Sequence, residues 1–172
     1  MPEPTQHQQT VVGDSGPLIA LAIVGQLELL PRLYRRVIVP QTVWDEVTVR
    51  GAGLPGALEV SRITWAEIQH ADPQRMLSLA ILVDRGEAEA IALAMDLPSS
   101  TVLLDDALAR RVAERFGVER IGTLGVLRRA KKAGLLAAIK PLVEQLQASG
   151  IFMRPSLVET VLRDVGELLL TT

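Results

Sequence analysis

Residues 10–17 read Thr-Val-Val-Gly-Asp-Ser-Gly-Pro, and this stretch decides how the fold begins. The β-branched run 10–13 predicts a short buried strand that ends at Asp14. Pro17 suits the first turn of a helix, because the N–H that proline lacks would have no partner there. A strand that turns directly into a helix is the first half of a βαβ unit.

The alternation of short apolar runs and longer helical segments continues along all 172 residues. Because a domain typically has about 150 residues, this length favours a single domain. The alternation predicts an α/β protein with a parallel sheet covered by helices. We expect strands at 10–13, 37–39, 63–68, 101–104 and 120–121, and helices at 17–34, 41–49, 58–62, 74–83, 86–95, 107–116, 124–133, 139–148 and 156–165.

The chain divides into three predicted segments. Residues 1–9 are polar, contain two prolines and predict a flexible amino-terminal tail. Residues 10–134 carry the α/β pattern, and Gly134 ends the last helix of that pattern. Residues 135–172 predict two further helices, which we expect to form a carboxy-terminal extension packed on the same domain.

Composition excludes several kinds of chemistry. The chain has no cysteine and only two histidines, so disulfides, thiolate zinc sites and cysteine nucleophiles are absent. Catalysis would fall to carboxylates, hydroxyls or lysines. The longest uncharged stretch has 13 residues (15–27), against about 20 for a membrane helix, which predicts a cytoplasmic protein without membrane segments. The mean hydropathy of +0.27 favours self-association.

Acidic residues stand where a parallel sheet forms its sites. Asp14 and the pair Asp105 and Asp106 each follow a predicted strand, while Glu46 and Glu87 lie on helices with apolar faces. Sites in open sheets form beyond the carboxyl ends of strands where the strand order reverses. If the strands that end in Asp14 and Asp105 are neighbours, their carboxylates need a cation between them. An all-oxygen ligand set suits Mg²⁺ or Mn²⁺.

A purely structural interpretation of these residues stays open. Asp14, Asp106 and Thr123 each precede or begin a predicted helix, where they could serve as caps. Glu87 follows Asp84 by three residues, the spacing of a capping box. Glu46 could be an ordinary solvated acid beside Asp45. On this interpretation the chain is a structural α/β domain with no metal site.

The chain resembles the PIN-domain family, the nuclease family that includes VapC-type toxins of toxin–antitoxin modules. The resemblance rests on five stretches in a fixed order over residues 10–130. They are Val-Val-Gly-Asp-Ser-Gly-Pro-Leu-Ile-Ala-Leu at 11–21, Val-Pro-Gln-Thr-Val-Trp-Asp-Glu-Val at 39–47, Gly-Glu-Ala-Glu-Ala-Ile-Ala-Leu-Ala at 86–94, Leu-Leu-Asp-Asp-Ala-Leu-Ala-Arg-Arg-Val-Ala at 103–113, and Ile-Gly-Thr-Leu-Gly-Val-Leu at 121–127.

The resemblance implies a three-layer fold with a five-stranded parallel sheet of order 3-2-1-4-5. Residues 10–134 would then be a PIN-like nuclease domain. It also implies a catalytic carboxylate quartet, here Asp14, Glu46, Glu87 and Asp105, that hydrolyses RNA with bound Mg²⁺ or Mn²⁺. The metal ligands would be Asp14, Glu87, Asp105 and Asp106, and the hydroxyls of Ser15 and Thr123 would face the substrate.

The same resemblance implies partners. It predicts RNA as substrate, a homodimer, and an antitoxin protein if the chain is a toxin. The chain departs from the commoner pattern by having Glu87 where many members have Asp, and by its added helices after Gly134. A catalytically silent PIN-like module that binds metal or nucleic acid is therefore the alternative function.

Charge is distributed unevenly along the chain. Residues 1–106 carry net −7, residues 107–140 net +7, and residues 141–172 net −2. On the predicted helix 124–133, Arg128, Lys131 and Lys132 share one face at spacings of three and four. We call these three residues the basic ridge, and we predict that it binds the RNA backbone. The alternative is a solvated helix face.

Overall fold

A computed structural model describes residues 9–168 of the chain. Five strands form one parallel sheet in the order β3-β2-β1-β4-β5, which confirms the predicted order. The strands are β1 (Thr10–Gly13), β2 (Arg36–Pro40), β3 (Ala66–Gln69), β4 (Ser100–Leu103) and β5 (Glu119–Ile121). The predicted tail lies outside the described residues except for Gln9.

Helices cover both faces of the sheet, so the fold has three layers. They are α1 (Ser15–Ile23), α2 (Leu29–Leu33), α3 (Gln41–Asp45), α4 (Ala57–Ser61), α5 (Pro73–Leu79), α6 (Arg85–Asp96), α7 (Ala107–Arg115), α8 (Thr123–Lys132), α9 (Lys140–Ala148) and α10 (Pro155–Asp164). A π-helical turn, Glu46–Arg50, continues α3. Within the part of the chain that the structure describes, no helix is long and apolar enough to cross a membrane.

The core lies in two parts, one on each side of the sheet. Val11 of β1 faces the layer that contains α1 and α8, whereas Val12 faces the layer that contains α6. Successive side chains of a strand point to opposite faces, so one short strand serves both parts. Parallel strands buried on both faces are mostly apolar, and the few polar side chains of β1 and β4, Thr10, Ser100 and Thr101, are themselves buried.

The predicted helix 17–34 is wrong in one respect, because two helices occupy this stretch. Helix α1 ends at Ile23, and Gly25 adopts a φ of +67°, which glycine tolerates without steric cost. The N–H of Gln26 then donates to the carbonyl of Leu21 at 2.8 Å, which closes the end of the helix. Periodicity missed this break because the turn itself keeps apolar side chains buried.

The predicted helix 41–49 is also divided, in this case by a change of helix type. Helix α3 gives way to the π-helical turn at Glu46, and the N–H of Gly51 donates to the Glu46 carbonyl at 2.8 Å. A Cβ at Gly51 would lie 2.8 Å from the Val47 carbonyl oxygen, so only glycine fits this close return. Isolated π-helical turns occur frequently at functional sites.

Helices α9 and α10 bury apolar side chains such as Leu146 and Val161 in the core part that contains Val11 and α8, and Ile139, just before α9, is buried with them. The carboxylate of Glu167 accepts hydrogen bonds from the N–H groups of Ile139 and Lys140, each at 2.7 Å. These bonds satisfy backbone donors at the start of α9, which would otherwise lack partners. The end of the described chain is thereby attached to α9.

Candidate active site

Asp14 lies at the carboxyl ends of β1 and β4, where the strand order reverses. Its N–H donates to the carbonyl of Leu103 at 3.2 Å, so the Asp14 backbone continues the pairing of the two central strands. The side chain is buried, with 5% of its surface exposed, and Oδ1 has no hydrogen-bond partner among the described residues. A buried carboxylate oxygen without a partner is destabilising, and a bound cation would relieve it.

Burial raises the pKa of Asp14 to about 8. The N–H of Ser15 lowers this pKa in part, while the negative charges of Glu87, Asp84 and Glu46 raise it further. Asp14 precedes α1 as its cap residue, yet its side chain makes no capping hydrogen bond. The capping interpretation therefore does not explain why this carboxylate is buried.

Glu46 approaches Asp14 across a gap that Gly86 leaves open. A Cβ built on Gly86 would lie 3.0 Å from Oε2 of Glu46 and 3.5 Å from Oδ1 of Asp14. The separation of the two oxygens cannot exceed the sum of these two distances, about 6.5 Å. The same Cβ would lie 3.3 Å from Val43. The absence of a side chain at Gly86 therefore lets Glu46, just after α3, approach Asp14, just after β1.

Glu87 is held in place by the capping box that its spacing predicts. Its N–H donates to Oδ1 of Asp84 at 2.8 Å, and the Asp84 N–H donates to Oε2 of Glu87 at 3.2 Å. Burial, followed by the negative charge of Asp84, raises the pKa of Glu87 to about 7. Asp106 and Glu46 raise it further, so the capping box fixes a carboxylate that also belongs to the acidic group.

Asp105 and Asp106 follow β4 but take different roles. Asp106 caps α7, because its Oδ1 accepts hydrogen bonds from the N–H groups of Leu108 and Ala109. Asp105 instead turns toward α8, where its Oδ1 accepts from the Thr123 N–H at 2.8 Å and its Oδ2 accepts from the Thr123 hydroxyl at 2.5 Å.

Thr123 requires a correction. It was predicted to be a cap or a hydroxyl that faces substrate, but Gly122 occupies the cap position of α8. The Thr123 hydroxyl is buried and donates to Asp105, so it positions that carboxylate. Ser15, the other predicted hydroxyl, begins α1 beside Asp14 and is partly exposed.

We call Asp14, Glu46, Asp84, Glu87 and Asp106 the acidic cluster, because their negative charges act on one another. Asp105 lies beside Thr123 and is not among the charges that raise the pKa of Asp14 or Glu87. Among residues 9–168, no three acidic or histidine side chains already converge on one point as metal ligands do. The cluster suits a hard cation by donor type, because all its donors are carboxylate oxygens.

The structure does not bring the basic ridge to the acidic cluster. Helix α8 begins beside Asp105, but the ridge occupies its last two turns and is paired there. Arg128 and Lys132 form ion pairs with Asp164, the latter at 2.8 Å, and Lys131 lies 3.6 Å from Glu167. Lys131 also donates to the carbonyl of Ala137. The cations of the basic ridge are therefore paired in this structure, and their binding to RNA stays a prediction.

Two residues of the site region were missed. Glu89 is buried on α6 and accepts two backbone hydrogen bonds, which a second acid in an alanine-rich helix could have signalled. Arg110 is half-buried, and its Nη1 donates to the Leu104 carbonyl at 2.9 Å. A Cβ at Gly122 would lie 3.0 Å from that Nη1 and 2.8 Å from Oδ1 of Asp105. Arg110 thus lies beside Asp105 at the same edge of the sheet.

The structure is a three-layer α/β domain with buried acids at the point where the strand order of its parallel sheet reverses. The family model for DUF3368, described as a PIN domain, matches residues 10–167, and the chain belongs to this family. A comparison with curated proteins finds no match. PIN domains are generally nucleases that bind nucleic acid and typically use divalent metals, so at this coarse level the chain is nuclease-like.

The raised pKa values predict an unusual pH dependence of stability in the metal-free protein. The folded state keeps a proton on Asp14 up to about pH 8, whereas the unfolded state releases it near its ordinary pKa of 3.8. The free energy of unfolding therefore falls as pH rises between these values, by up to about 1.4 kcal/mol per pH unit for this group. Urea unfolding in EDTA at several pH values from 5 to 8 measures this slope.

The variant Asp14→Asn should show a shallower decline and should be at least as stable as the parent at pH 8, because it removes a buried like charge. Glu144→Gln on α9 is the control, since Glu144 is exposed and lies outside the acidic cluster. We expect the control to keep the parental slope. A parent whose stability is constant from pH 5 to 8 would contradict the assignment of Asp14 as a crowded buried acid.

Proposed function

We propose that the chain is a divalent-metal-dependent endoribonuclease that hydrolyses RNA phosphodiester bonds. The observation that carries this proposal is the buried Oδ1 of Asp14, which has no partner among the described residues and faces other carboxylates instead of a cation. Asp14, Glu46 and Glu87 would hold Mg²⁺ or Mn²⁺. Asp106 is a further candidate ligand because its capping bonds use Oδ1 alone.

At such a site, the chemistry that a divalent ion supplies is neutralisation of the phosphate charge and activation of a water molecule. Three acids of the chain would determine how the ion binds. Asp14 must lose its proton to bind the ion, and the crowding of Glu46 and Glu87 favours that exchange once the ion is present. Asp105, the fourth predicted catalytic acid, is held by Thr123 at the adjacent strand end and would act there as an additional acceptor.

The substrate phosphates need cations near the acidic cluster. Arg110 supports this role because it lies beside Asp105 at the carboxyl edge of the sheet. Ser15 adds a hydroxyl next to Asp14. The basic ridge would contribute only after its ion pairs with Asp164 and Glu167 open, so we assign the first phosphate contact to Arg110.

A catalytically silent module that binds metal or nucleic acid is the second candidate function. The specific observation in its favour is that no three acidic or histidine side chains within residues 9–168 already form an ion site. Such a module would bind Mn²⁺ or RNA without turnover. A structural domain whose acids are only caps would bind neither.

The first prediction of the proposal concerns catalysis. The purified parent should cleave single-stranded RNA with Mn²⁺ and lose this activity in EDTA. Asp14→Asn should reduce cleavage to background while remaining folded, because it removes a carboxylate that would bind the ion. Glu144→Gln should cleave like the parent. Cleavage by Asp14→Asn at the parental rate would refute the site, whereas Mn²⁺ binding by a parent without cleavage would favour the silent module.

The second prediction uses two glycines in matched positions, each the second residue of a helix. Gly86→Ala places a Cβ 3.0 Å from Oε2 of Glu46, so the carboxylate must move. We expect the Mn²⁺ dissociation constant, measured by calorimetry, to rise by about tenfold, as for other changes that displace ligands. Circular dichroism establishes that the variant is folded, because the contact with Val43 opposes the gain of about 1 kcal/mol that alanine brings to a helix interior.

Gly16→Ala is the control for that experiment. Gly16 of α1 has no heavy atom within 4 Å of a built Cβ, so the change raises helix propensity without touching the acids. Its Mn²⁺ affinity should equal that of the parent. Equal affinities for both variants would show that the close approach at Gly86 does not position Glu46 for metal binding.

We further propose that the chain forms a homodimer in the cytoplasm and, if it is a toxin, that an antitoxin protein encoded beside it blocks the site. Support for self-association comes from large apolar side chains that are exposed on α5 and just after it, with Leu77 61% and Ile81 84% exposed. Closed two-fold dimers are the commonest symmetric assembly.

Sedimentation equilibrium at micromolar concentration should give twice the mass of 18.7 kDa. The double variant Leu77→Ser, Ile81→Ser should shift the protein toward monomer if these side chains form the contact. Leu58→Ser is the control, because Leu58 is similarly exposed on α4. A parent that remains monomeric would contradict the dimer.

A further inference from the structure

Glu89 is a buried carboxylate outside the acidic cluster. Only 2% of its surface is exposed, although it lies on α6 just two residues after Glu87. Its Oε2 accepts a hydrogen bond from the N–H of Thr42 at 2.8 Å, and its Oε1 accepts one from the N–H of Ala71 at 3.2 Å. The imidazole Nδ1 of His70 lies 3.5 Å from Oε1, at the surface.

Packing alone does not account for an acid at this position. A buried carboxylate gives up more hydration free energy than an apolar side chain of the same size. What it gains here is two backbone donors that belong to different segments. One is in the first turn of α3, where N–H groups lack partners within the helix, and the other precedes α5.

The hydrogen bond from Thr42 to Glu89 holds α3, the helix that directly precedes Glu46. Thr42 and Glu46 are four residues apart, a spacing that places both on one side of a helix. On α6, Gly86 and Glu89 are three residues apart, so they also share one side. Gly86 meets Val43 and Glu46, while Glu89 meets Thr42. Helix α3 is thus fixed to α6 by a hydrogen bond at its start and by close contact at its end.

We propose that Glu89 is a positioning residue that sets the distance of Glu46 from Asp14 and Glu87. It does so by accepting the Thr42 N–H, and it touches neither metal nor substrate. The metal-binding part of this inference rests on the proposed function. Its geometric part does not, because Glu46 is held beside Asp14 whether or not an ion binds.

The geometric part is tested without metal by a double-variant cycle in EDTA at pH 8. In the parent, Glu46→Gln should raise the urea midpoint of unfolding, since it removes a negative charge held near Asp14 and Glu87. In the Glu89→Gln background, Glu46 is free to move away, so the same change should raise the midpoint less. Additive effects would overturn the proposal.

The control for the cycle is Ser100→Ala, which loosens the other end of α6. The Ser100 hydroxyl is buried and donates to the carbonyl of Ala94 at 2.7 Å, remote from α3 in the chain. Ser100→Ala should lower the midpoint as a lost buried hydrogen bond does. The gain from Glu46→Gln should be the same in this background as in the parent, which separates positioning from general destabilisation.

The metal part is tested by calorimetry with Mn²⁺. Glu89→Gln should raise the dissociation constant by about tenfold, the lower range for residues that orient metal ligands, and Ser100→Ala should leave it unchanged. Parental affinity in Glu89→Gln would overturn the positioning role. A parent that binds no Mn²⁺ would refute the proposed function instead, and the metal-free cycle would still decide the role of Glu89.

Glu89→Asp covers the case in which the glutamine variant does not fold. Aspartate keeps the charge but is one methylene too short to reach both N–H groups. We therefore expect Glu46→Gln to raise the urea midpoint less in this background than in the parent, and the Mn²⁺ affinity to be lower than that of the parent. Circular dichroism establishes that each variant is folded. Failure of both variants to fold would assign Glu89 to folding alone and would overturn the proposal.

Discussion

The constraint on which the site depends is the burial of carboxylates that repel one another at the carboxyl end of β1. Asp14 follows the central strand β1 beside the end of β4, and the charges of Glu87, Asp84 and Glu46 all oppose its ionisation. The sheet can impose this arrangement because both of its faces are packed with apolar side chains. The local repulsion is therefore offset by burial elsewhere in the fold, which is how functional sites commonly retain unfavourable contacts.

Much of the fold and part of the cluster could be predicted from the sequence, because both follow from local pattern. A short β-branched run followed by an acid predicts a strand with that acid at its carboxyl end. The carboxyl ends of parallel strands lie along one edge of the sheet. This pattern indicates Asp14, whereas Glu46 and Glu87 lie on helices and enter the site through the family resemblance. Asp84 was identified only as a cap because capping and membership of the cluster were treated as alternatives. The capping box shows that one pair of residues does both.

The partners of the basic ridge and of Asp105 could not be predicted, because they are contacts between residues distant in the chain. Composition and periodicity do not report such contacts. The net charge of +7 over residues 107–140 does not report that Asp164 folds back from α10 onto Arg128 and Lys132. Asp105 was assigned to the quartet by its strand-end position, but its rotamer is set by Thr123. A count of charges by segment cannot anticipate either pairing.

The repulsion that destabilises the acidic cluster also determines its protonation in the absence of metal. A carboxyl with a pKa of about 8 is mostly protonated at neutral pH, so Asp14 carries little charge there. On the proposed function, a proton and a divalent ion would compete for this one carboxyl, and each would remove repulsion within the acidic cluster. Gly86 and Glu89 bring α3 close to α6, so Glu46 stays near Asp14 and the repulsion persists until protonation, or on the proposed function a divalent ion, removes it.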